Sequence, residues 1–196
     1  MSKRVEFFFD VGSPASYLAW TQLPALCAQA GAELVHRPML LGGVFQATGN
    51  ASPASVPIKA SYTNSDFARF AGRYGVPLVI NPHFPIITLM LMRGATGVQM
   101  RMPERFQDYL SGVFKALWID ALNLNEAALT AQALRDAGFD PGEIMTLVGD
   151  PEVKAHLRTT TDEAVARGVF GAPTMFVGDE MFFGQDRLDF VREALR

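Results

Sequence analysis

The hydrophobic positions at the start of the chain change their period at one point. Val5–Phe9 is a mostly apolar and aromatic run, which is typical of a strand buried on both faces. Beyond it, apolar residues recur at helical spacing as far as Gly31, and Ser13 and Pro14 are residue types preferred at an N-cap and a first helical position. Ala32–Leu41 predicts a second strand. A parallel pairing of the two strands would place the turn at Ser13 on the carboxyl edge of the sheet.

The middle of the chain is predicted to be helical. Gly42–Pro57 is rich in Gly, Ser, Ala, Asn and Pro, and it is predicted to be a loop. Amphipathic stretches follow this loop, and a final pair of helical segments is expected to end at Gly168. The other predicted helices lie within Lys59–Gly75, Ile87–Thr96, Pro103–Ile119 and Glu126–Ala137.

The end of the chain changes period again. Ala172–Gly178 and residues 181–184 predict two strands joined by a tight turn. Residues 185–196 predict an amphipathic helix whose inward side carries Leu188, Phe190, Val191 and Leu195. This order, β-α-β, then helices, then β-β-α, predicts an α/β thioredoxin-like fold with a large all-helical insertion. We expect residues 1–41 and 168–196 to form a discontinuous thioredoxin-like domain, and residues 42–167 to form the helical insertion domain.

Composition and charge narrow the functional classes. Hydrophobic residues make up 49% of the chain, enough for a sizeable core, and the net charge of −3 without a Lys/Arg block disfavours nucleic-acid binding. The single cysteine, Cys27, excludes an internal disulfide and fits a reducing compartment. Neither a secretory signal nor a membrane span is predicted, so we expect a cytoplasmic protein. The three histidines have no ligand spacing, and no metal site is expected.

The turn after the first strand reads Ser13-Pro14-Ala15-Ser16, where thioredoxin-like redox proteins have Cys-x-x-Cys. Hydroxyl groups form no disulfide, so dithiol redox chemistry is excluded at this turn. The N-terminus of a helix nevertheless stabilises an anion. A hydroxyl of Ser13 that donates a hydrogen bond to the sulfur of another molecule would favour its thiolate form. The alternative is that Ser13 is an N-cap and nothing more.

Two later segments fit the same kind of site. Pro173 begins the first of the last two strands, and in thioredoxin-like folds a proline here is cis and faces the active-site turn. Ala172 then offers its backbone to an extended peptide; the alternative is an ordinary trans proline at a strand edge. Asp186 begins the last helix, where its carboxylate either holds an ammonium group or caps the helix.

Three segments carry a family resemblance: "FFFDVGSPASYLA", "DFARFAGRYGVPL" and "VFGAPTMFVGDEMFFGQDRL". Nearly the whole chain resembles the 2-hydroxychromene-2-carboxylate isomerases, and these three segments are the strongest parts of the resemblance. The isomerases are relatives of the kappa-class glutathione transferases within the thioredoxin/DsbA superfamily. The resemblance implies glutathione as cofactor, an aromatic small-molecule substrate and a homodimer. It assigns catalysis and contact with the glutathione sulfur to Ser13. The further contacts it implies are Ala172 and Pro173 for the cysteinyl part, Gly184, Gln185 and Asp186 for the γ-glutamyl end, Lys59 for a carboxylate, and Phe45, Asn50, Ser55, Val56 and Phe84 for the substrate pocket.

The chain departs from the family at two positions. The isomerases are expected to have basic residues near positions 45 and 56, where an acidic substrate needs them, whereas this chain has Phe45 and Val56. The resemblance implies isomerisation of 2-hydroxychromene-2-carboxylate-type aromatic catabolites by reversible addition of glutathione. One alternative is a kappa-class-like glutathione transferase or peroxidase that acts on another electrophile. A third is a non-enzymatic thioredoxin-like module that binds a thiol or an extended peptide.

Overall fold

A four-stranded mixed sheet forms the centre of the molecule, whose computed structural model describes residues 3–196. The strand order is β2-β1-β3-β4. The central β1 pairs in parallel with β2 and antiparallel with β3, and β3 pairs antiparallel with β4. The two ends of the chain therefore share one sheet, which confirms the predicted thioredoxin-like fold. The strands are β1 (Arg4–Phe9), β2 (Glu33–Pro38), β3 (Thr174–Val177) and β4 (Glu180–Phe183).

Helices surround this sheet and fill the segment between β2 and β3. Single 3-10 turns at Pro53–Ser55, Pro103–Arg105 and Gln185–Arg187 precede three of them. None of the helices between residues 3 and 196 combines the length and the apolar character that crossing a bilayer requires. The α-helices are α1 (Pro14–Ala30), α2 (Leu41–Thr48), α3 (Pro57–Tyr74), α4 (Leu89–Arg101), α5 (Phe106–Trp118), α6 (Ala127–Asp136), α7 (Pro141–Gly149), α8 (Pro151–Ala166) and α9 (Leu188–Ala194).

Strand β1 is buried on both faces, as its apolar run predicts. Phe7 and Phe9 point to one face, where their rings stack 5.0 Å apart within the larger hydrophobic cluster. Phe8 points to the other face and joins a smaller cluster with Met39 and Phe176. The alternation follows from the period of two in a strand. Packing on both faces therefore holds the end of β1, and the turn that follows it, between two layers of buried side chains.

The predicted loop at Gly42–Pro57 is wrong over its first half, which forms α2. Val44 on this helix is buried in the smaller cluster beside Phe8. Gly43 faces α8, where a Cβ atom in its place would lie 3.3 Å from Cγ2 of Thr161. The glycine therefore lets α2 pack closely against α8, and this tertiary contact outweighs the low helix propensity of the segment.

The prediction that Phe190 faces inward is also wrong, because its side chain is 53% exposed. Leu188, Val191 and Leu195 are buried as predicted. Helical spacing places Leu188, Val191 and the C-cap residue Leu195 on one side of the short helix α9 and leaves Phe190 on the opposite side.

Cys27 lies on the buried side of α1, and burial raises the pKa of its thiol to about 11. At pH 8 only roughly one thiol in a thousand would then be ionised. We expect the native protein not to react with Ellman's reagent at pH 8, and the protein unfolded in guanidinium chloride to release one equivalent of the coloured thiolate. Rapid reaction of one equivalent in the native protein would contradict this burial.

Candidate functional site

Ser13 lies at the N-terminus of α1 and uses its hydroxyl group twice. Its Oγ accepts a hydrogen bond from the backbone N–H of Ser16 at 3.1 Å, which is the N-cap interaction. The same hydroxyl donates to the carbonyl oxygen of Ala172 at 3.0 Å. Ser13 is therefore an N-cap and also part of a contact between the two ends of the chain, so the capping role does not exclude the functional one.

The segment opposite Ser13 is built around a cis peptide bond between Ala172 and Pro173. The backbone N–H of Gly184 donates to the carbonyl of Pro173 at 3.0 Å. Gly184 has a φ of +102°, which side chains rarely adopt, and a Cβ atom there would lie 2.4 Å from Oδ1 of Asp186, so this position favours glycine. These contacts join Ser13, Ala172, Pro173 and Gly184 into one continuous group.

The 3-10 turn after Gly184 is held from the side by α3. The carbonyl of Gln185 accepts a hydrogen bond from the hydroxyl of Tyr74 at 2.7 Å. Burial, together with the nearby Asp186 and Asp189, raises the pKa of Tyr74 to about 12, so this hydroxyl remains a donor at neutral pH. The carboxylate of Asp186 is 35% exposed and lies 2.6 Å from the guanidinium of Arg187, where it is accessible to a ligand.

A cavity of about 290 Å³ lies directly beside Ser13; we call it the serine cavity. Trp118 forms part of its wall, and the indole N–H of this residue donates to the carbonyl of Val11 at 2.8 Å. The bond supports the backbone between β1 and Ser13. The other walls come from both sides of the turn, and include Pro14, Leu41, Ser52, Thr63, Asn64, Phe67, Asn81 and Phe84.

A larger cavity of about 690 Å³ adjoins the serine cavity; we call it the apolar cavity. The two share several wall residues, among them Gly12, Leu41 and Phe84. Of the residues that the resemblance assigns to a substrate pocket, Phe45, Ser55 and Phe84 line the apolar cavity. Its remaining walls are mostly aliphatic, with Leu40, Leu41, Pro85, Ile86, Ile87 and Leu89.

Besides Ala172, Pro173 and residues 184–186, three predicted site residues lie outside both cavities. Asn50 is exposed, and its side-chain amide donates to the carbonyl of Phe170 at 2.8 Å. Val56 precedes α3 and is partly exposed. Lys59 lies in the first turn of α3 with an exposed side chain. The structure does not bring these three into the cavity walls, and their roles toward a ligand stay predictions.

Asp10 is the residue of this region that sequence reasoning missed. It follows β1 directly, is 1% exposed and contributes to the wall of the apolar cavity. Its Oδ1 accepts from the N–H of Gly12 at 2.9 Å, and its Oδ2 accepts from the N–H of Leu41 at 2.9 Å and from the hydroxyl of Thr88 at 3.0 Å. The only sequence signal was an acidic residue at the end of a buried strand.

The environment of Asp10 contains opposing electrostatic effects. Burial raises the pKa of its carboxyl group, and the three hydrogen bonds lower it in part. Leu41 is the first residue of α2, and Thr88 is the N-cap of α4. The partial positive charges of both helix N-termini therefore face this carboxylate and help to compensate its burial. Asp10 thus ties the Ser13 turn to the starts of two helices.

Ser16, the second hydroxyl residue of the turn, differs sharply from Ser13. It is fully buried, and its Oγ has no hydrogen-bond partner within residues 3–196. Only Ser13 presents its hydroxyl toward the Ala172 segment. Within the same part of the chain, no group of three or more His, Cys, Asp and Glu side chains is arranged to hold a metal ion.

Comparison with known proteins places this geometry in a family. The profile of the DSBA-like thioredoxin domain matches residues 4–196. A 2-hydroxychromene-2-carboxylate isomerase from Sphingobium xenophagum is 32% identical, with 100% of this chain and 99% of the relative covered. Glutathione S-transferase kappa 1 from Rattus norvegicus is 28% identical, with 97% and 90% covered. The solved structure of a 2-hydroxychromene-2-carboxylate isomerase superposes with a TM-score of 0.83 at 30% identity, covering 98% of this chain and 94% of that one.

Alanine substitution of the two serines of the turn is expected to affect stability differently. Ser13→Ala removes the cap of α1 and the bond to Ala172, and we expect it to lower the free energy of unfolding by about 1–2 kcal/mol. Ser16→Ala removes a buried hydroxyl without a partner and should be neutral or slightly stabilising. Urea unfolding of both variants beside the parent protein measures the difference. An equal loss of stability in the two variants would contradict the assigned hydrogen bonds.

Proposed function

This chain belongs to the family of DsbA-like thioredoxin domains, and we propose that it is a glutathione-dependent isomerase. Its action would be on conjugated aromatic compounds related to those for which its isomerase relatives are named. The names of these relatives support isomerisation, and the names of the kappa-class transferases support the use of glutathione. The observation that carries the proposal is the Ser13 hydroxyl, located at a helix N-terminus and facing the backbone of Ala172.

The residues present fit glutathione in three places. Ser13 and the N-terminus of α1 form a site suited to a thiolate. The Ala172–Pro173 segment offers backbone groups to the cysteinyl part of the tripeptide. Asp186, with its accessible carboxylate, suits the γ-glutamyl ammonium group, beside Gly184 and Gln185. Lys59 remains available at the surface for one of the carboxylates.

When bound, glutathione supplies a thiolate that adds reversibly to an electron-poor carbon of a conjugated substrate, so that a double bond becomes single, rotates and is restored on elimination. The protein contributes by favouring the ionised thiol. Ser13 would exchange a neutral hydrogen bond, worth about 0.5–1.5 kcal/mol, for one to a charged sulfur, worth roughly 1.5–3 kcal/mol. The α1 N-terminus adds about 0.3–1 kcal/mol. A thiol pKa near 8.5 falls by one unit for every ~1.4 kcal/mol, so it would approach 7.

The role of Ser13 in this scheme is electrostatic. Its hydroxyl forms no covalent bond to substrate. The hydrogen bond from the N–H of Ser16 holds the hydroxyl in position, whichever acceptor the hydroxyl itself donates to. The apolar cavity next to it would receive the conjugated substrate. A homodimer and a cytoplasmic location stay predictions from the sequence.

A second candidate is a kappa-class-like glutathione transferase or peroxidase, which would use the same thiolate on another electrophile. The observation that favours it is the composition of the apolar cavity, in whose wall no Lys, Arg or His from residues 3–196 takes part. The isomerase relatives are named for a carboxylate substrate. A cavity without a cation fits such a compound less well than it fits a neutral electrophile.

The two candidates differ in what happens to glutathione. With 2-hydroxychromene-2-carboxylate or its methyl ester, an isomerase should give an absorbance change that requires glutathione and leaves the thiol concentration unchanged. A transferase should consume the thiol, for example with a chloronitroarene. In either case Ser13→Ala should lower kcat/KM by roughly 10- to 100-fold, the equivalent of one charge-assisted hydrogen bond, while Ser16→Ala should not. Absence of any glutathione-dependent reaction with all three compounds would contradict the proposal.

A further inference from the structure

The described wall of the apolar cavity has one acidic residue and no basic residue. Among the described residues that line the apolar and the serine cavities, Asp10 is the only one with an ionisable acidic or basic side chain. Lys59, the cation that the resemblance places near a carboxylate, lines neither cavity. An anionic group inside the apolar cavity would therefore meet no cationic side chain from the described wall.

Asp10 also uses hydrogen-bond donors that an incoming anion would need. The N–H of Leu41 at the start of α2, the N–H of Gly12 and the hydroxyl of Thr88 all donate to its carboxylate. These donors lie on three separate segments that meet at the cavity. The carboxyl group of Asp10 thus occupies these donors, and they are not available to an anionic ligand.

The rest of the wall suits an uncharged, partly aromatic molecule. Phe45 and Phe84 present aromatic surface, and Ile86 and Leu89 add aliphatic surface. Ser55, with its hydroxyl, is a donor of the kind that a neutral carbonyl group accepts. The volume of about 690 Å³ lies within the range of cavities that take small organic ligands.

We propose that the electrophile of this protein is uncharged: a conjugated carbonyl compound with an aromatic or alicyclic body and no carboxylate. This inference rests on the proposed glutathione-dependent function and narrows its substrate class. A buried carboxylate without a counter-ion loses its hydration and gains no ion pair in return. The apolar cavity therefore selects against the anionic group for which the isomerase relatives are named.

Binding of two unreactive ligands tests the inference without any turnover. Coumarin is neutral, and coumarin-3-carboxylate has nearly the same skeleton with one negative charge at neutral pH. Isothermal titration calorimetry, with and without S-methylglutathione, should show the neutral ligand binding at least about tenfold more tightly. Equal affinities, tighter binding of the acid, or no binding of coumarin at millimolar concentration would each overturn the inference.

A charge introduced into the cavity wall should reverse the preference. Phe45→Arg places a guanidinium where the wall has a phenyl ring, and the affinity for coumarin-3-carboxylate should rise by about 10- to 100-fold. Phe45→Met changes the same position without adding a charge and should keep the preference for coumarin. Circular dichroism checks that both variants are folded. If Phe45→Arg does not fold, the comparison of the two ligands on the unaltered protein still decides.

Turnover separates a failure of this inference from a failure of the proposed function. The methyl ester of 2-hydroxychromene-2-carboxylate and its free acid form a matched pair of reactive compounds. Glutathione-dependent isomerisation in which the ester has the higher kcat/KM supports both proposals. Isomerisation with the acid preferred overturns the inference and leaves the function standing. A preference for coumarin without any glutathione-dependent reaction overturns the function and leaves the charge selectivity of the cavity standing.

Discussion

The hydrogen bond from the Ser13 hydroxyl to the carbonyl of Ala172 joins parts of the chain that are 159 residues apart in sequence. It connects the first helix to the segment that precedes β3, and the sheet holds both segments in register through the pairing of β1 with β3. Because the same oxygen accepts the N–H of Ser16, the position of the hydroxyl is set by the fold. A ligand would need only to accept the hydrogen bond that Ser13 now donates to Ala172, and the serine would not have to be repositioned. This is the preorganisation that electrostatic stabilisation of an anion requires.

Asp10 affects the stability of an anion at the same site in the opposite sense. It is a buried carboxyl group three residues before Ser13, and in its ionised form it would oppose the formation of a thiolate nearby. The hydrogen bonds from Gly12, Leu41 and Thr88 and the N-termini of α2 and α4 offset the burial of this group in part. The same arrangement fixes the walls of the apolar cavity, since Leu41 and Thr88 belong to them. If the proposed function holds, ionisation of a bound thiol and exclusion of anionic substrates would both depend on this one set of contacts around the end of β1.

Local patterns were sufficient to predict the elements that carry the site. The apolar run of β1, the Ser-Pro start of α1 and the glycine at its end each act within a few residues, and the structure confirms them. Helix α2 could not be predicted in this way, because its stability comes from the contact of Gly43 and Val44 with distant parts of the chain. The role of Asp10 was missed for the same reason. No short pattern states that the starts of α2 and α4 meet at the end of β1, so the role of a single acidic residue there became visible only in three dimensions.

The most direct test of the account is the number of protons released when reduced glutathione binds. Calorimetric titration at pH 7 in two buffers with different ionisation enthalpies measures that number, with S-methylglutathione as the ligand that has no proton to lose. If the pKa of the bound thiol falls to about 7, roughly half a proton per site should be released, and Ser13→Ala should lower this value markedly. The account would be contradicted if reduced glutathione released no more protons than its S-methyl form, or if the Ser13→Ala variant released as many as the unaltered protein.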